Sequence, residues 1–163
     1  MKQTSLQIPF QIFKDIHSLD PADAQLLESA KSATRDAYAP YSKFKVGAAI
    51  RLLNGHILSG SNQENASFPA GLCAERVALS AASAAFPGIA VTDLALTYVN
   101  ESGDGNRPIS PCGICRQTLA EYEQRFGMPI RLILGAIRGE VFVFNRATDL
   151  LPFAFSSWEM TSH

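Results

Sequence analysis

The three cysteines of this chain fall into two groups, Cys73 in GLCAER and Cys112 with Cys115 in SPCGICRQ, 39 residues further on. Each group lies where a helix is expected to start. Pro69 and Gly71 stand just before the first, and Pro111 opens the second. Helix N-termini carry partial positive charge and lower thiol pKa values. A fold that uses the three thiols together must therefore bring two helix starts to one point. The CxxC alone leaves three readings open: a redox pair, half of a structural zinc site, or part of a catalytic metal centre. The third cysteine narrows them. Structural zinc is usually closed by four protein ligands, whereas catalytic zinc keeps a position for water. The three histidines, His17, His56 and His163, all lie far from the cysteines in sequence.

Glu75 adds a constraint. Residues two apart in mid-helix face different sides. Cys73 and Glu75 converge only if the helix begins at about Cys73, and Glu75 then sits beside a metal without binding it, as a general acid/base.

The rest of the chain reads as one α/β domain. Asp20-Pro21 is an N-cap followed by proline at the first helical position, and Leu26, Leu27, Ala30, Ala33 and Ala37 form the apolar stripe of a helix ended by Pro40. Residues 44–53 and 56–61 flank Asn54-Gly55, a strong hairpin signal. Ile8, Phe10 and Ile12 alternate with polar neighbours and fit a short strand. A helix over 72–86 is apolar nearly all round after its first turn, which predicts burial. A strand at 94–99, a polar loop ESGDGNRP, a helix from Pro111 to Gly127, and strands at 130–137 and 141–144 complete an α-β-β-α-β-α-β-β order. That order implies a mixed sheet with helices on its faces.

Composition sets outer limits. Charged residues make up 18% of the chain and the formal net charge is −1. A polyanion partner demands a basic stripe, so nucleic acid is a weak candidate partner and is not the expected ligand. The first twenty residues lack the apolar core of a signal peptide, and no apolar run reaches the length of a membrane span. The expected location is the cytoplasm, where thiols stay reduced and bind metal or react.

Zinc deaminases carry H-x-E … P-C-x-x-C, or an all-cysteine variant of it. CAE and PCGIC match that variant. Together with AYAPYSKFKVGAA and NQENASFPAGLCAER, they make the chain from about Asp20 to Phe155 resemble the cytidine deaminases of the small, homotetrameric, three-cysteine kind. The resemblance implies a three-layer α-β-α fold with a mixed central sheet, a single catalytic domain over 20–163 and an N-terminal extension over 1–19. It implies one zinc ion per chain on Cys73, Cys112 and Cys115, with Glu75 shuttling protons. It places Asn62 and Glu64 on the ribose 3′-hydroxyl, Phe44 against the pyrimidine, Ala74 in the substrate site, and the Ser110 carbonyl on the leaving amine. Phe155 corresponds to a ring donated across a subunit interface, with Tyr41 and Phe68 nearby. By themselves, Phe44 reads equally well as a core residue and Asn62 and Glu64 as a solvated loop. Arg76 and Arg116 follow closely on ligands, and donating to sulfur would withdraw charge from three thiolates; the alternative is a surface ion pair. The expected reaction is hydrolytic deamination of cytidine and 2′-deoxycytidine in pyrimidine salvage. Its rivals are a blasticidin-type deaminase, a polynucleotide editor and a non-catalytic zinc module.

Overall fold

The computed structural model describes residues 1–100, 105–156 and 160. Among the described residues six strands form one mixed sheet: β1 (Gln11–Phe13), β2 (Phe44–Leu52), β3 (Ile57–Ser61), β4 (Val91–Asn100), β5 (Arg131–Gly135) and β6 (Val141–Phe144). Their spatial order is β1-β6-β5-β4-β2-β3. Only β4 and β5 pair in parallel; every other neighbour is antiparallel.

Period-2 alternation sends the two faces of each strand into different cores. Ile50, Leu52, Leu94, Leu96, Leu132 and Leu134 meet α2 (Ala74–Ala85) and α3 (Gly113–Phe126) on one face. Ala49, Ala95, Ile133, Val141 and Val143 meet Leu26, Leu27 and Ala30 of α1 (Pro21–Ala33) on the other. The result is the three-layer α-β-α arrangement that the motifs imply.

The helix ends follow the sequence signals. Asp20 caps α1 through bonds from the Ala22 and Asp23 N–H groups, both 3.0 Å. Gly127 closes α3 at φ 60° and Gly55 turns the hairpin at φ 86°, conformations that favour glycine.

Three expectations need correction. The first helix stops at Ala33 and runs into a 3-10 turn over Thr34–Asp36, four residues short of Ala37. The second helix is not buried all round. Ala74, Glu75, Ala78, Leu79 and Ala82 face the core, while Ser80, Ala84 and Ala85 are exposed. Apolar composition measured its permissiveness, and the sheet covers only one side. The alternation at Ile8, Phe10 and Ile12 yields strand only over Gln11–Phe13, which pairs with β6 and forms a sheet edge. Of the polar loop expected at 101–108, residues 101–104 lie outside the described residues.

Topology places the site. β3 and β4 are both antiparallel to β2, so they run the same way and their carboxyl ends share one side of the sheet. α2 follows β3 and α3 follows β4. Both helices therefore start at that side, where β2 also begins with Phe44. Crevices outside the carboxyl ends of strands are the usual ligand sites of open α/β sheets.

Candidate metal centre and pocket

Cys73 and Cys112 are the N-cap residues of α2 and α3, each with extended backbone. Their carbonyls accept the first helical bonds, from Val77 N at 3.1 Å and Arg116 N at 2.9 Å. Each thiol therefore projects past a helix start, and Cys115 joins them from the first turn of α3. Cys73 Sγ lies 3.7 Å from Cys112 Sγ, and Cys112 Sγ lies 3.5 Å from Cys115 Sγ. All three ligand atoms fall within 4.8 Å of one another. A tetrahedral zinc with bonds of about 2.3 Å spaces its sulfurs by about 3.8 Å, so the three thiols fit that ion. Among the described residues no fourth ligand joins them.

The thiols share their protons unequally. Hydrogen bonding from Cys115, then from Arg76 and Cys112, lowers Cys73 to about 5. Cys115, fully buried, is pushed up because its proton is the one held toward Cys73.

Glu75 is only 4% exposed. Burial is the main reason its carboxyl is raised above the usual range, and the charge on Cys73 adds to it. A carboxyl so placed holds a proton more firmly than a solvated one, and is a stronger base once it has lost it.

A pocket of about 900 Å³ opens over this centre, and Cys73, Ala74, Glu75, Arg76, Ser110 and Cys112 line its base. Phe44, Asn62 and Glu64 line its wall, with Tyr41 and Phe68 at the rim. The Tyr41 and Phe68 rings meet edge to face at 6.0 Å. Phe44 stacks on Tyr98 with ring centroids 4.8 Å apart. Asn62 Oδ1 accepts from Val46 N at 2.7 Å while its Nδ2 donates to Phe44 O at 2.9 Å. Among the described residues the second N–H of the amide has no acceptor. Glu64 accepts from Tyr41 N at 2.9 Å, Ser42 N at 3.3 Å and the Ser42 hydroxyl. Those bonds, the Ser42 hydroxyl foremost, hold its carboxyl below the usual range.

The arginines part company. Arg76 Nη2 donates to Gly71 O at 3.0 Å and reaches Cys73 Sγ at 3.9 Å, and its buried Nε has no partner among the described residues. Arg116 does not reach sulfur. Its Nε donates to Pro111 O at 2.8 Å and its Nη1 to Leu150 O at 3.1 Å. The expected charge compensation by Arg116 is therefore corrected: successive helical residues diverge by about 100°, and adjacency to Cys115 turned this side chain away from the thiols. Phe155 stands apart from the pocket of its own chain, 62% exposed, beside a groove on α3.

Two contributors were not singled out in the sequence. Ser42 braces Glu64, and Tyr98 backs Phe44. Tyr98 becomes visible only once β2 and β4 are set in register, where it pairs with Val46.

Three thiols with room for a fourth ligand, a buried carboxylate beside them and a walled pocket above define a metal-assisted hydrolase for a small polar molecule. Residues 21–126 match the family described as the cytidine and deoxycytidylate deaminase zinc-binding region. The chain belongs to that family. It is 37% identical over 135 residues to a cytidine deaminase of Halalkalibacterium halodurans, spanning 83% of this chain and 95% of the relative. The crystal structure of a cytidine deaminase from Burkholderia pseudomallei superposes with a TM-score of 0.70 at 42% identity, covering 80% of this chain and 97% of that one. A blasticidin-S deaminase of Bacillus cereus is 31% identical over 141 residues, 85% of this chain and 96% of the relative.

Proposed function

We propose that the chain hydrolyses cytidine and 2′-deoxycytidine to uridine and 2′-deoxyuridine, releasing ammonia. The observation that carries this reading is the buried Glu75 beside three clustered thiols, at the base of a pocket walled by Phe44, Asn62 and Glu64.

Zinc on Cys73, Cys112 and Cys115 supplies Lewis acidity that makes water a better nucleophile near neutrality. Glu75 takes up one proton from the water and delivers it to ring N3 as the water oxygen bonds to C4; it then takes the second proton from that oxygen and delivers it to the amino group, whose bond to C4 breaks as the C4 carbonyl forms. Water and cytidine thus leave as ammonia and uridine. The Ser110 carbonyl accepts from the amine. Phe44, held flat by Tyr98, packs against the pyrimidine, and Ala74 forms the floor. The second N–H of Asn62 and the braced carboxylate of Glu64 meet the ribose 3′-hydroxyl. A site built to pair with a hydroxyl rejects ligands that lack it, which favours nucleosides over blasticidin S. Arg76 draws charge from Cys73.

Residues 20–163 act as the catalytic domain, with 1–19 as an extension. Four chains assemble, and Phe155 of each reaches a neighbour's pocket; its exposure and its distance from its own pocket support this. The setting is pyrimidine salvage in the cytoplasm. The low charge of the chain supports a small-molecule substrate and neither nucleic acid nor membrane as partner. Among the described residues no helix is long and apolar enough to cross a membrane.

Ammonia release from cytidine, free cytosine, blasticidin S and single-stranded DNA, measured side by side, tests the proposal. Turnover of cytidine alone is the expected result. Turnover of blasticidin S without cytidine would move the chain to the rival activity.

A further inference from the structure

Helix α3 grips the segment 147–155 through three side chains. Near its C-terminal end, the buried Glu123 carboxylate accepts from Ala147 N at 2.9 Å and Thr148 N at 3.3 Å. In its first turns, Arg116 Nη1 donates to Leu150 O at 3.1 Å and Gln117 Nε2 donates to Phe155 O at 2.7 Å. The same Arg116 guanidinium holds Pro111 O at 2.8 Å, the carbonyl just before Cys112. One side chain thus spans the thiol loop and the C-terminal segment.

The gripped segment carries Phe153, 95% exposed, and Phe155, 62% exposed. It lies outside helix and strand, apart from the 3-10 turn over Ala147–Leu150. A stretch without a ladder of its own takes its position from such donors.

We infer that Arg116 and Gln117 are positioning residues: they fix residues 150–155 at a set offset from the thiols, so that Phe155 is presented rigidly to a neighbouring copy's pocket. The inference rests on the proposed sharing of sites between chains. The two residues touch neither substrate nor metal, and they act through the segment that they hold. A ring presented in a fixed place loses little freedom when substrate binds, whereas a ring on a loose segment must be ordered first. That cost falls on binding rather than on the chemical step, so it belongs in KM and not in kcat.

Gln117→Met keeps the length of the side chain and removes the donor. Arg116→Lys keeps the charge but cannot span two carbonyls. In the zinc-loaded protein, backbone ¹⁵N order parameters at Ala154 and Phe155 in Gln117→Met, and at Leu151 in Arg116→Lys, should fall from about 0.85 toward about 0.6. In Gln117→Met the KM for cytidine should rise about threefold or more, as the loss of one hydrogen bond allows, with kcat and zinc content unchanged. Parental order parameters in both variants overturn the positioning role. A loosened segment with a parental KM overturns its service to a neighbouring pocket. Should the parent not deaminate cytidine at all, the functional reading fails, while the order parameters still decide whether these residues fix the segment.

Discussion

Glu75 sits where a carboxyl is awkward: almost sealed from solvent and one residue past the first position of α2. The proposed use as a proton carrier would give that placement a purpose. Glu75→Gln keeps the shape and the helix but cannot carry the proton, and one general acid/base role is worth about 10²–10⁴-fold. The variant should fold, retain one zinc per chain by elemental analysis, and lose at least that much kcat; near-parental turnover would remove Glu75 from the mechanism. The residues that were legible in the sequence are those whose chemistry and spacing coincide. Three cysteines at helix starts and a glutamate two residues after one of them admit few arrangements. Asn62 and Glu64 were legible only through resemblance, because a polar loop gives no sign of which groups face a pocket. Arg116 misled because sequence adjacency to Cys115 carries no direction.

At the level of elements, the start of α2 is held by how closely β3 can approach it. A Cβ added at Gly60 would stand 2.6 Å from both Ala74 O and Ala78 N, all rigid backbone. The absent side chain lets strand and helix touch, and so sets the height of Cys73 and Glu75 above the sheet. Gly60→Ala should push the first turn of α2 outward. Overpacking of this kind costs about 1–3 kcal/mol, and zinc affinity should fall with it; both are read by thermal melts and by competition with a chelator. An unaltered melt and affinity would mean that the contact does not set the position of the helix. The hairpin at Asn54-Gly55 and the cap at Asp20-Pro21 were readable because turn and cap chemistry is local. β1 was only half readable: its partner β6 lies about 130 residues away, and alternation in Ile8, Phe10 and Ile12 says nothing about what lies alongside.

Across the whole molecule, the end of the sheet opposite the pocket is tied by charge. Arg131 bonds Asp23 at 2.7 Å and Asp93 at 2.8 Å, and Arg51 reaches Asp93 at 3.1 Å. Asp23 and Asp93 are buried, and the group joins α1 to β2, β4 and β5. Removing Asp93 leaves the two partly exposed arginines sharing Asp23, and the lost bonds to a charged group are worth about 1.5–3 kcal/mol. Asp93→Ala should therefore lower the urea midpoint strongly while leaving the KM of surviving folded protein unchanged, since the pocket is at the other end. A midpoint within error of the parent would show the group to be dispensable. No pairing of these four residues was evident beforehand, because each lies on a separate element and only the sheet order brings them together.

The thiol cluster also has a meaning for the chain as a polymer. Cys73 and Cys112 are 39 positions apart and stand on two different crossovers of the sheet. An ion that joins them closes a loop of about 40 residues that the unfolded chain would otherwise leave free. Counted as a covalent cross-link of that span, closure removes conformational entropy worth about 4 kcal/mol from the unfolded state. For a chain of this length each kcal/mol corresponds to about 2–4 °C in melting temperature. Stripping the metal with a chelator should therefore lower the melting temperature by about 8–16 °C, measured by calorimetry on protein before and after treatment. The centre that would activate water also serves as a knot in the string, and a melt unchanged by chelation would show that the fold holds without it.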